Sequence, residues 1–326
     1  MLALVLEKGG SIDGLKEREI EKPQIKEDEL LIKVRGVALN PSDYQTAEYL
    51  SGDSPNIVLG LDVAGVVEQV GSAVKNLKQG DRVFYIREIN NPNGGFAEYA
   101  VSPERFTCKI PNEISFTEAA ALPGAGFTAY HIMFQRFHLK EKSTILIHGG
   151  AGGVGSYAVQ LAKLHQLKVI VTCLGRDIEY VKEMGADIAI DFRKEDVYGR
   201  VMEETGYRGV DYIISSIGPE GATKDLEVLG FGGEIAVTAG FPDFEQWKFY
   251  DKGITVHEIA FGNHLTNSSP MAQQVPQLIA KDLSKLVSER KINVPKTTSI
   301  TLSEIPLWLK KMKAGEVVGK VVAEMK

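Results

Sequence analysis

The segment at residues 144–155 constrains the fold more than any other part of the chain. An apolar run from Thr144 to Ile147 leads into the turn sequence His-Gly-Gly-Ala-Gly-Gly-Val-Gly, and a helical pattern follows over about 154–165. In this turn Gly150, Gly152 and Gly155 form a G-x-G-x-x-G pattern, whose glycines permit a tight turn, close approach of a pyrophosphate and close helix–strand packing. The helix N-terminus that follows offers free N–H groups and a favourable dipole to phosphate. The segment predicts a dinucleotide site, with a purely structural glycine turn as the alternative.

Length and composition indicate a globular protein with room for two domains. The chain has 326 residues, of which 44% are hydrophobic and 25% charged, enough apolar material for two cores. Its net charge of −6 and its lack of a long basic run argue against a nucleic-acid partner. No apolar run reaches the ~18 residues of a membrane span, and the N-terminal segment becomes charged too early for a signal peptide. With Cys108 and Cys173 as its only cysteines, we expect no disulfide framework and a reducing, cytoplasmic location.

The first part of the chain is predicted to be a mostly β domain with weak helix signals. Its strands alternate or run apolar between Gly, Pro, Asn and Asp turns, at residues 2–6, 29–38, 63–70, 81–86 and 96–101.

The pattern changes at about residue 118: residues 118–137 carry apolar residues at helical spacing, and strands then alternate with helices. The strands are predicted at Thr144–His148, Lys168–Cys173, Ile188–Asp191, Val210–Ser215 and Glu234–Ala239, and the helices near 154–165, 177–184, 195–205 and 220–229. Such alternation implies right-handed crossovers and a parallel sheet, and the Val- and Ile-rich strands imply that both sheet faces are covered. This part is therefore predicted to be a doubly wound α/β domain.

The C-terminal part lacks this alternation and is assigned back to the first domain. Residues 263–276 are predicted to be a loop, residues 275–289 and 303–314 helices, and residues 319–324 a final strand. The predicted domains are therefore 1–120 with 263–326, and 121–262.

Several segments together resemble the medium-chain dehydrogenase/reductase superfamily over nearly the whole length. They are Ala38-Leu-Asn-Pro-Ser-Asp-Tyr44, Leu59-Gly-Leu-Asp-Val-Ala-Gly-Val-Val67, Gly80-Asp-Arg-Val-Phe84, Gly95-Phe-Ala-Glu-Tyr99, Ala121-Leu-Pro-Gly-Ala-Gly-Phe-Thr-Ala129, the glycine turn and Gly319-Lys-Val-Val322. The resemblance implies an α/β protein with a GroES-like β-rich catalytic domain, split in sequence around a Rossmann domain. It also implies that cofactor and substrate meet in the cleft between the domains.

The resemblance also bears on zinc. Alcohol dehydrogenases of this superfamily hold a catalytic zinc with Cys, His and Cys, and the corresponding positions here are Asn40, Leu61 and Gly124. These side chains do not form a tetrahedral zinc site, so we expect no metal. His148, which ends the first Rossmann strand, is interpreted as structural, with a place near the diphosphate as the alternative.

Without zinc ligands, the chain resembles the zinc-less, quinone-oxidoreductase-like branch, which has an Asn-Pro-x-Asp segment whose Asn side chain lies near the nicotinamide and the acceptor. Here that segment is Asn40 to Asp43, and a strand-ending turn is the alternative. Tyr44 and Tyr49 are the nearest candidates for an acceptor wall or proton donor, and a packed aromatic is an equal alternative for Tyr44.

The end of the second Rossmann strand favours NADPH over NADH. NAD-preferring domains place an acidic residue there, and we align Leu174 with that position. Arg176 is placed to pair with a 2′-phosphate; alternatively Asp177 takes the acidic role, or both residues simply open a helix. Phe192 lacks the hydroxyl of the tyrosine that quinone oxidoreductases often have near this phosphate.

The remaining cofactor contacts are implied by the resemblance. Thr128 is expected near the nicotinamide end or its phosphate, Gly240 and Phe241 beside the nicotinamide ribose, and Lys320 near the ring. In the glycine turn, the expected contacts are Gly150, Gly152, Gly153, Val154 and Gly155.

Three functions follow as hypotheses. The first is a zinc-independent NADPH-dependent reductase of a quinone or another α,β-unsaturated carbonyl acceptor, a small molecule. The second is an enoyl-thioester reductase, and the third is an NADPH-binding protein without turnover. The resemblance further implies a homodimer that extends the Rossmann sheet through residues 254–259, which alternate like an edge strand.

Overall fold

A computed structural model describes residues 1–50, 52–245 and 251–325 of the chain. Its strands are β1 (Leu2–Lys8), β2 (Leu15–Glu19), β3 (Glu29–Ala38), β4 (Asp53–Val58), β5 (Asp62–Val70), β6 (Arg82–Ile86), β7 (Tyr99–Pro103), β8 (Thr107–Lys109), β9 (Thr144–Ile147), β10 (Lys168–Cys173), β11 (Ile188–Asp191), β12 (Val210–Ser215), β13 (Leu229–Val237), β14 (Thr255–Glu258), β15 (Thr297–Ile300) and β16 (Lys320–Glu324).

The α-helices lie between these strands and, in one case, follow a short π-helical turn at Pro123–Phe127. They are α1 (Pro41–Tyr49), α2 (Phe116–Ala120), α3 (Thr128–His131), α4 (Gly153–Leu164), α5 (Ile178–Glu183), α6 (Val197–Glu204), α7 (Gly218–Val228), α8 (Asn263–Thr266), α9 (Pro270–Ser288) and α10 (Ile305–Lys313).

The chain divides into two compact units. Unit 1 comprises Met1–Phe127 and Gly262–Lys326, and unit 2 comprises Thr128–Phe261. No helix of the described ranges is long and apolar enough to cross a bilayer.

Unit 1 is built on a mainly antiparallel sheet with the strand order β15-β16-β3-β5-β6-β8, and β7 also pairs with β3. A second sheet has the order β2-β1-β4. In the larger sheet, Ala38 at the end of β3 pairs with Val322 of β16 on one side and with Asp62 of β5 on the other. This register brings the end of β3 and the beginnings of β5 and β16 to one edge of the sheet, where the candidate site of unit 1 lies.

Unit 2 is a parallel sheet with the strand order β11-β10-β9-β12-β13-β14, with helices in the crossovers. This is the doubly wound Rossmann order, so the predicted fold class is confirmed. The apolar side chains of β9 to β13 form the core, as Ile145, Ile170, Ile190, Ile213 and Ile235 are all fully buried. β9 lies in the middle of the sheet and pairs with β10 on one side and with β12 on the other. The order of the strands changes direction there, and ligands of such sheets bind at this topological switch point.

Two parts of the prediction were wrong. Residues 263–276 were expected to form a loop, but α8 and the start of α9 lie there. Ser269 and Pro270 are a helix start signal, and the loop prediction followed the polarity of the segment instead. The helix α1 was not predicted, because the helix signals of the N-terminal part are weak. That helix begins after Asn40, with Pro41 in its first turn and the Asp43 carboxylate accepting the Asn40 backbone N–H at 2.8 Å.

Candidate active site

The glycine turn of unit 2 connects β9 to α4 at the carboxyl edge of the sheet. Gly149 adopts a φ of +66°, a conformation that glycine reaches without strain. The Gly150 N–H donates to the Thr172 carbonyl of the neighbouring strand at 2.9 Å. The first hydrogen bond of α4 runs from the Ser156 N–H to the Gly152 carbonyl, also at 2.9 Å. The N–H groups of residues 153–155 come before that bond and therefore have no acceptor within the helix.

The three glycines of the pattern have different surroundings. A Cβ atom on Gly155 would overlap the carbonyl of Gly149, and one on Gly150 would stand 2.8 Å from Val171. A Cβ atom on Gly152 would meet only the Gly149 oxygen, at 3.3 Å. Gly150 and Gly155 therefore serve packing, and Gly152 leaves the approach to the helix N-terminus open for a ligand.

His148 is buried beneath this turn. Its Nε2 lies 2.7 Å from Asp225 Oδ1, and its Nδ1 lies 3.1 Å from the hydroxyl of Thr172. The same hydroxyl accepts the Gly149 N–H at 3.2 Å. His148 thus helps to hold the turn in place, in line with its interpretation as a structural residue.

The end of β10 leads into a 3-10 turn at Gly175–Asp177. The Arg176 side chain is 57% exposed, and its Nε lies 3.7 Å from the carboxylate of Asp177, which is itself 90% buried as a side chain. At the end of β11, Asp191 accepts the Arg193 N–H at 3.1 Å, and Phe192 is half exposed. Arg176 is therefore a largely solvent-exposed cation on the carboxyl side of the sheet.

Unit 1 contains a buried polar cluster where β3, β5 and β16 meet. The ammonium of Lys320 donates to Asn40 Oδ1 at 2.7 Å, to the Leu39 carbonyl at 3.1 Å and to Asp62 Oδ2 at 3.2 Å. Asp62 is fully buried, and Lys320 is 3% exposed. The other oxygen of Asp62 accepts the Gly124 N–H at 2.9 Å. This group of Asn40, Asp62, Gly124 and Lys320 is called the lysine cluster below.

Burial shifts the titration of the carboxyl groups in this region. It raises the pKa of Asp62, although the charge of Lys320 and a hydrogen bond from the Asn40 side chain act in the opposite direction. It also raises the pKa of Asp43 to about 7, opposed by the Asn40 N–H and reinforced by the nearby Asp62. Asp43 also accepts the Gly60 N–H, at 3.2 Å.

A second buried cation, Arg87, lies close enough to Asp43 for its charge to lower the pKa of that carboxyl, against the effect of burial. Its guanidinium donates to the Asn91 carbonyl, and burial lowers its pKa. Its Nε has no hydrogen-bond partner among the described residues. Two basic and two acidic side chains are thus buried in one region of unit 1.

The other predicted residues lie as follows. Tyr44 packs partly buried against the core of unit 1, and Tyr49, at the end of α1, is 88% exposed. In unit 2, Thr128 begins α3, Gly240 has a φ of +127°, and Phe241 is half exposed. Their contacts with cofactor or acceptor stay predictions. Residues 51 and 246–250 lie outside the described residues.

The sequence did not assign the partners of Lys320. Asp43 and Asp62 stood in the segments that carried the family resemblance, but neither was given a role. The structure explains why position 124 is a glycine: a Cβ atom there would lie only 2.9 Å from the oxygens of both Asn40 and Asp62.

Two family models match the chain. The model described as "Alcohol dehydrogenase GroES-like domain" matches residues 26–112, and the model described as "Zinc-binding dehydrogenase" matches residues 153–281. The second description implies zinc, but the lysine cluster offers one carboxylate, one carboxamide and an ammonium where a zinc site needs three N, S or carboxylate donors. Within the described ranges, no three His, Cys, Asp or Glu side chains are grouped as metal ligands. The residues present do not fit zinc.

Several curated proteins are similar in sequence. A quinone-oxidoreductase homolog of spinach chloroplasts is 40% identical over 63% of this chain and 64% of its own length. The 2-methylene-furan-3-one reductase of Solanum lycopersicum is 40% identical over 71% of this chain and 60% of its own. The chloroplast envelope quinone oxidoreductase homolog of Arabidopsis thaliana is 33% identical over 97% of this chain and 95% of its own. The chain thus spans less than two thirds of the first two relatives and nearly all of the third.

Solved structures agree over the whole length. The quinone oxidoreductase of Pseudomonas syringae pv. tomato DC3000 covers 100% of both chains, with a TM-score of 0.89 and 26% identity. A mycobacterial protein solved in complex with NADPH also covers 100% of both chains, with a TM-score of 0.87 and 25% identity. The glycine turn and these matches lead to one conclusion: the chain belongs to the quinone-oxidoreductase-like branch of the medium-chain dehydrogenase/reductase superfamily.

Proposed function

We propose that this protein is an NADPH-dependent oxidoreductase that reduces a small quinone or a carbon–carbon double bond conjugated to a carbonyl, without a bound metal. The observation that carries the proposal is the open approach at Gly152 to the unpaired N–H groups that begin α4. The names of the relatives, which include quinone oxidoreductases and a furanone reductase, support the class of acceptor.

Unit 2 supplies the groups that hold the cofactor in this proposal. The N–H groups of Gly153, Val154 and Gly155 donate to the pyrophosphate, and the exposed guanidinium of Arg176 pairs with the 2′-phosphate. Thr128, Gly240 and Phe241 border the nicotinamide half, as in the resemblance described above. When bound, the reduced nicotinamide supplies a hydride to an electron-poor acceptor.

Unit 1 supplies the groups that meet the acceptor. In this proposal Asn40, which is 8% exposed, orients the acceptor, as in the resemblance described above. The ring of Tyr44, packed on the core of unit 1, provides an apolar wall. A quinone needs little acid assistance, because its oxygens accept negative charge readily, and this suits a site without a metal.

The test is oxidation of NADPH by the purified protein with 9,10-phenanthrenequinone, followed as loss of reduced-nicotinamide absorbance, with NADH in parallel. We expect saturable oxidation that favours NADPH. Crotonyl-CoA serves as the competing acceptor, and its reduction in place of the quinone would favour an enoyl-thioester reductase. Tight NADPH binding without turnover of either acceptor, or of a simple conjugated enone, would refute the proposal in favour of a binding protein.

A further inference from the structure

The ammonium of Lys320 is fully engaged inside unit 1. An ammonium has three N–H donors, and Lys320 directs them to Asn40 Oδ1, the Leu39 carbonyl and Asp62 Oδ2 at 2.7, 3.1 and 3.2 Å. With the side chain 4% exposed, a further contact with a cofactor would break one of these bonds. The bond to Asn40 is the shortest of the three.

The hydrogen bond from Lys320 determines the orientation of the Asn40 carboxamide. A carboxamide has one accepting and one donating end, and Lys320 binds only the accepting end. The donating end is thereby turned away from the ammonium, toward the Ala38 carbonyl at 3.4 Å and toward Asp62. Lys320 itself is anchored by Asp62 of β5 and by the Leu39 carbonyl, just after the end of β3. The orientation of Asn40 is therefore fixed by groups at the ends of three strands.

We propose that Lys320 is a positioning residue for Asn40 and the resident cation of the lysine cluster. Its ammonium contacts Asn40, one of the positions that align with the zinc ligands of the alcohol dehydrogenases, and Asp62. Lys320 acts on the reaction through Asn40 and makes no contact with the cofactor. The catalytic part of this inference rests on the proposed function.

The experiment is a double-mutant cycle with Lys320→Met and Asn40→Ala. Methionine has a similar length and no donor. We expect Lys320→Met to lower kcat/KM for 9,10-phenanthrenequinone roughly 10- to 100-fold, because a small displacement of a positioning group has effects of this order. The Kd for NADPH, measured by fluorescence titration, should stay within about twofold. In the Asn40→Ala background, Lys320→Met should have little further effect on kcat/KM.

The matched control is Lys252→Met. Lys252 also directs its ammonium to three acceptors, the carbonyls of Leu226, Glu227 and Leu229 at 3.1, 2.7 and 2.9 Å, but in unit 2. We expect this variant to lower Tm and to leave kcat/KM unchanged. It shows what the loss of a purely structural lysine does.

Each result decides the inference. Additive effects of Lys320→Met and Asn40→Ala on kcat/KM would overturn it, as would a rise in the NADPH Kd that matches the loss of kcat/KM. If Lys320→Met does not fold because Asp62 is left as an unpaired buried charge, the cycle is repeated in Asp62→Asn. The Tm of each variant in the same cycle is also measured, because this readout does not depend on turnover of an acceptor. An inactive wild type would therefore refute the proposed function, while additive Tm shifts would separately refute the coupling of Lys320 to Asn40.

Discussion

The carbonyl oxygen of Gly149 occupies the space that a Cβ atom on Gly155 would need. A side chain at position 155 therefore disturbs the turn itself. At Gly152 the same oxygen is 3.3 Å from the corresponding point, and the backbone φ of −82° suits any residue. One glycine pattern thus contains a position that serves the fold and a position that is free to serve a ligand.

Alanine substitutions separate these two roles. We expect Gly152→Ala to raise the Kd for NADPH at least about tenfold, or ~1.4 kcal/mol, because its methyl group takes the place of the pyrophosphate, and to leave Tm nearly unchanged. Gly155→Ala should instead lower Tm by roughly 2–10 °C through overpacking. Fluorescence titration and scanning calorimetry measure the two quantities. Wild-type NADPH affinity in folded Gly152→Ala would contradict the proposed phosphate site.

Arg176 is expected to distinguish the two nicotinamide cofactors. Its guanidinium is largely exposed and lies 3.7 Å from Asp177, so it is available to a 2′-phosphate. Arg176→Ala should raise the Kd for NADPH roughly 10- to 100-fold, as a charge-assisted contact of about 1.5–3 kcal/mol implies, and should change the Kd for NADH little. Titration of both cofactors measures this.

Lys182→Ala is the control for Arg176. Lys182 lies on α5, is 52% exposed and forms a comparably loose ion pair with Glu179 at 3.8 Å. Its removal changes the net charge of unit 2 by the same amount. Equal losses of NADPH affinity in both variants would show that general electrostatic attraction, rather than recognition by Arg176, explains the preference.

The sequence predicted the sheet of unit 2 well because its strands have a local signal. The structure places β10, β11 and β12 at the predicted bounds, since each is a short run rich in Val or Ile. The helix α1 was missed because its polar sequence has no apolar face. What stabilises its start is the cap formed by Asn40 and Asp43.

The candidate site was predictable only in part for a related reason. Asn40 and the glycines lie in recognisable motifs. The partnership of Lys320 with Asp62 joins positions 258 residues apart, and no local pattern encodes it. It arises because β3 pairs with both β5 and β16, which is a property of the sheet topology.

The hydroxyl of Tyr44 should not be needed for quinone reduction. In the proposed function its ring is an apolar wall, so Tyr44→Phe should keep kcat within about twofold and Tyr44→Ala should lower kcat/KM about tenfold. Steady-state kinetics with 9,10-phenanthrenequinone measures both. A large loss of kcat in Tyr44→Phe would identify the hydroxyl as a proton donor. Tyr49→Phe, at the exposed end of α1, is tested in the same way as the alternative donor.

The edge strand β14 gives a test of the proposed homodimer. The Ile259 N–H donates to Val237 of β13 at 3.1 Å, so by alternation the N–H groups of Val256 and Glu258 face away from the sheet. We propose that two copies pair along this edge. Glu258→Pro removes an outward donor without removing a bond to β13 and should give a monomer by light scattering, whereas Glu258→Ala should stay a dimer. A monomeric wild type would refute the pairing.

Asp43 should make the stability of the protein depend on pH near neutrality. Its pKa is raised from 3.8 to about 7 by burial, so the folded state binds this proton more tightly than the unfolded state. The protonated Asp43 carboxyl therefore makes its full contribution to the free energy of unfolding below about pH 4. This contribution, up to ~4 kcal/mol, is lost as the pH rises toward 7. Asp43→Asn cannot ionise. The free energy of unfolding of the wild type, minus that of Asp43→Asn, should fall between pH 5 and pH 7 in urea denaturation and level off above about pH 8. A difference that stays constant over this range would show that burial does not perturb Asp43.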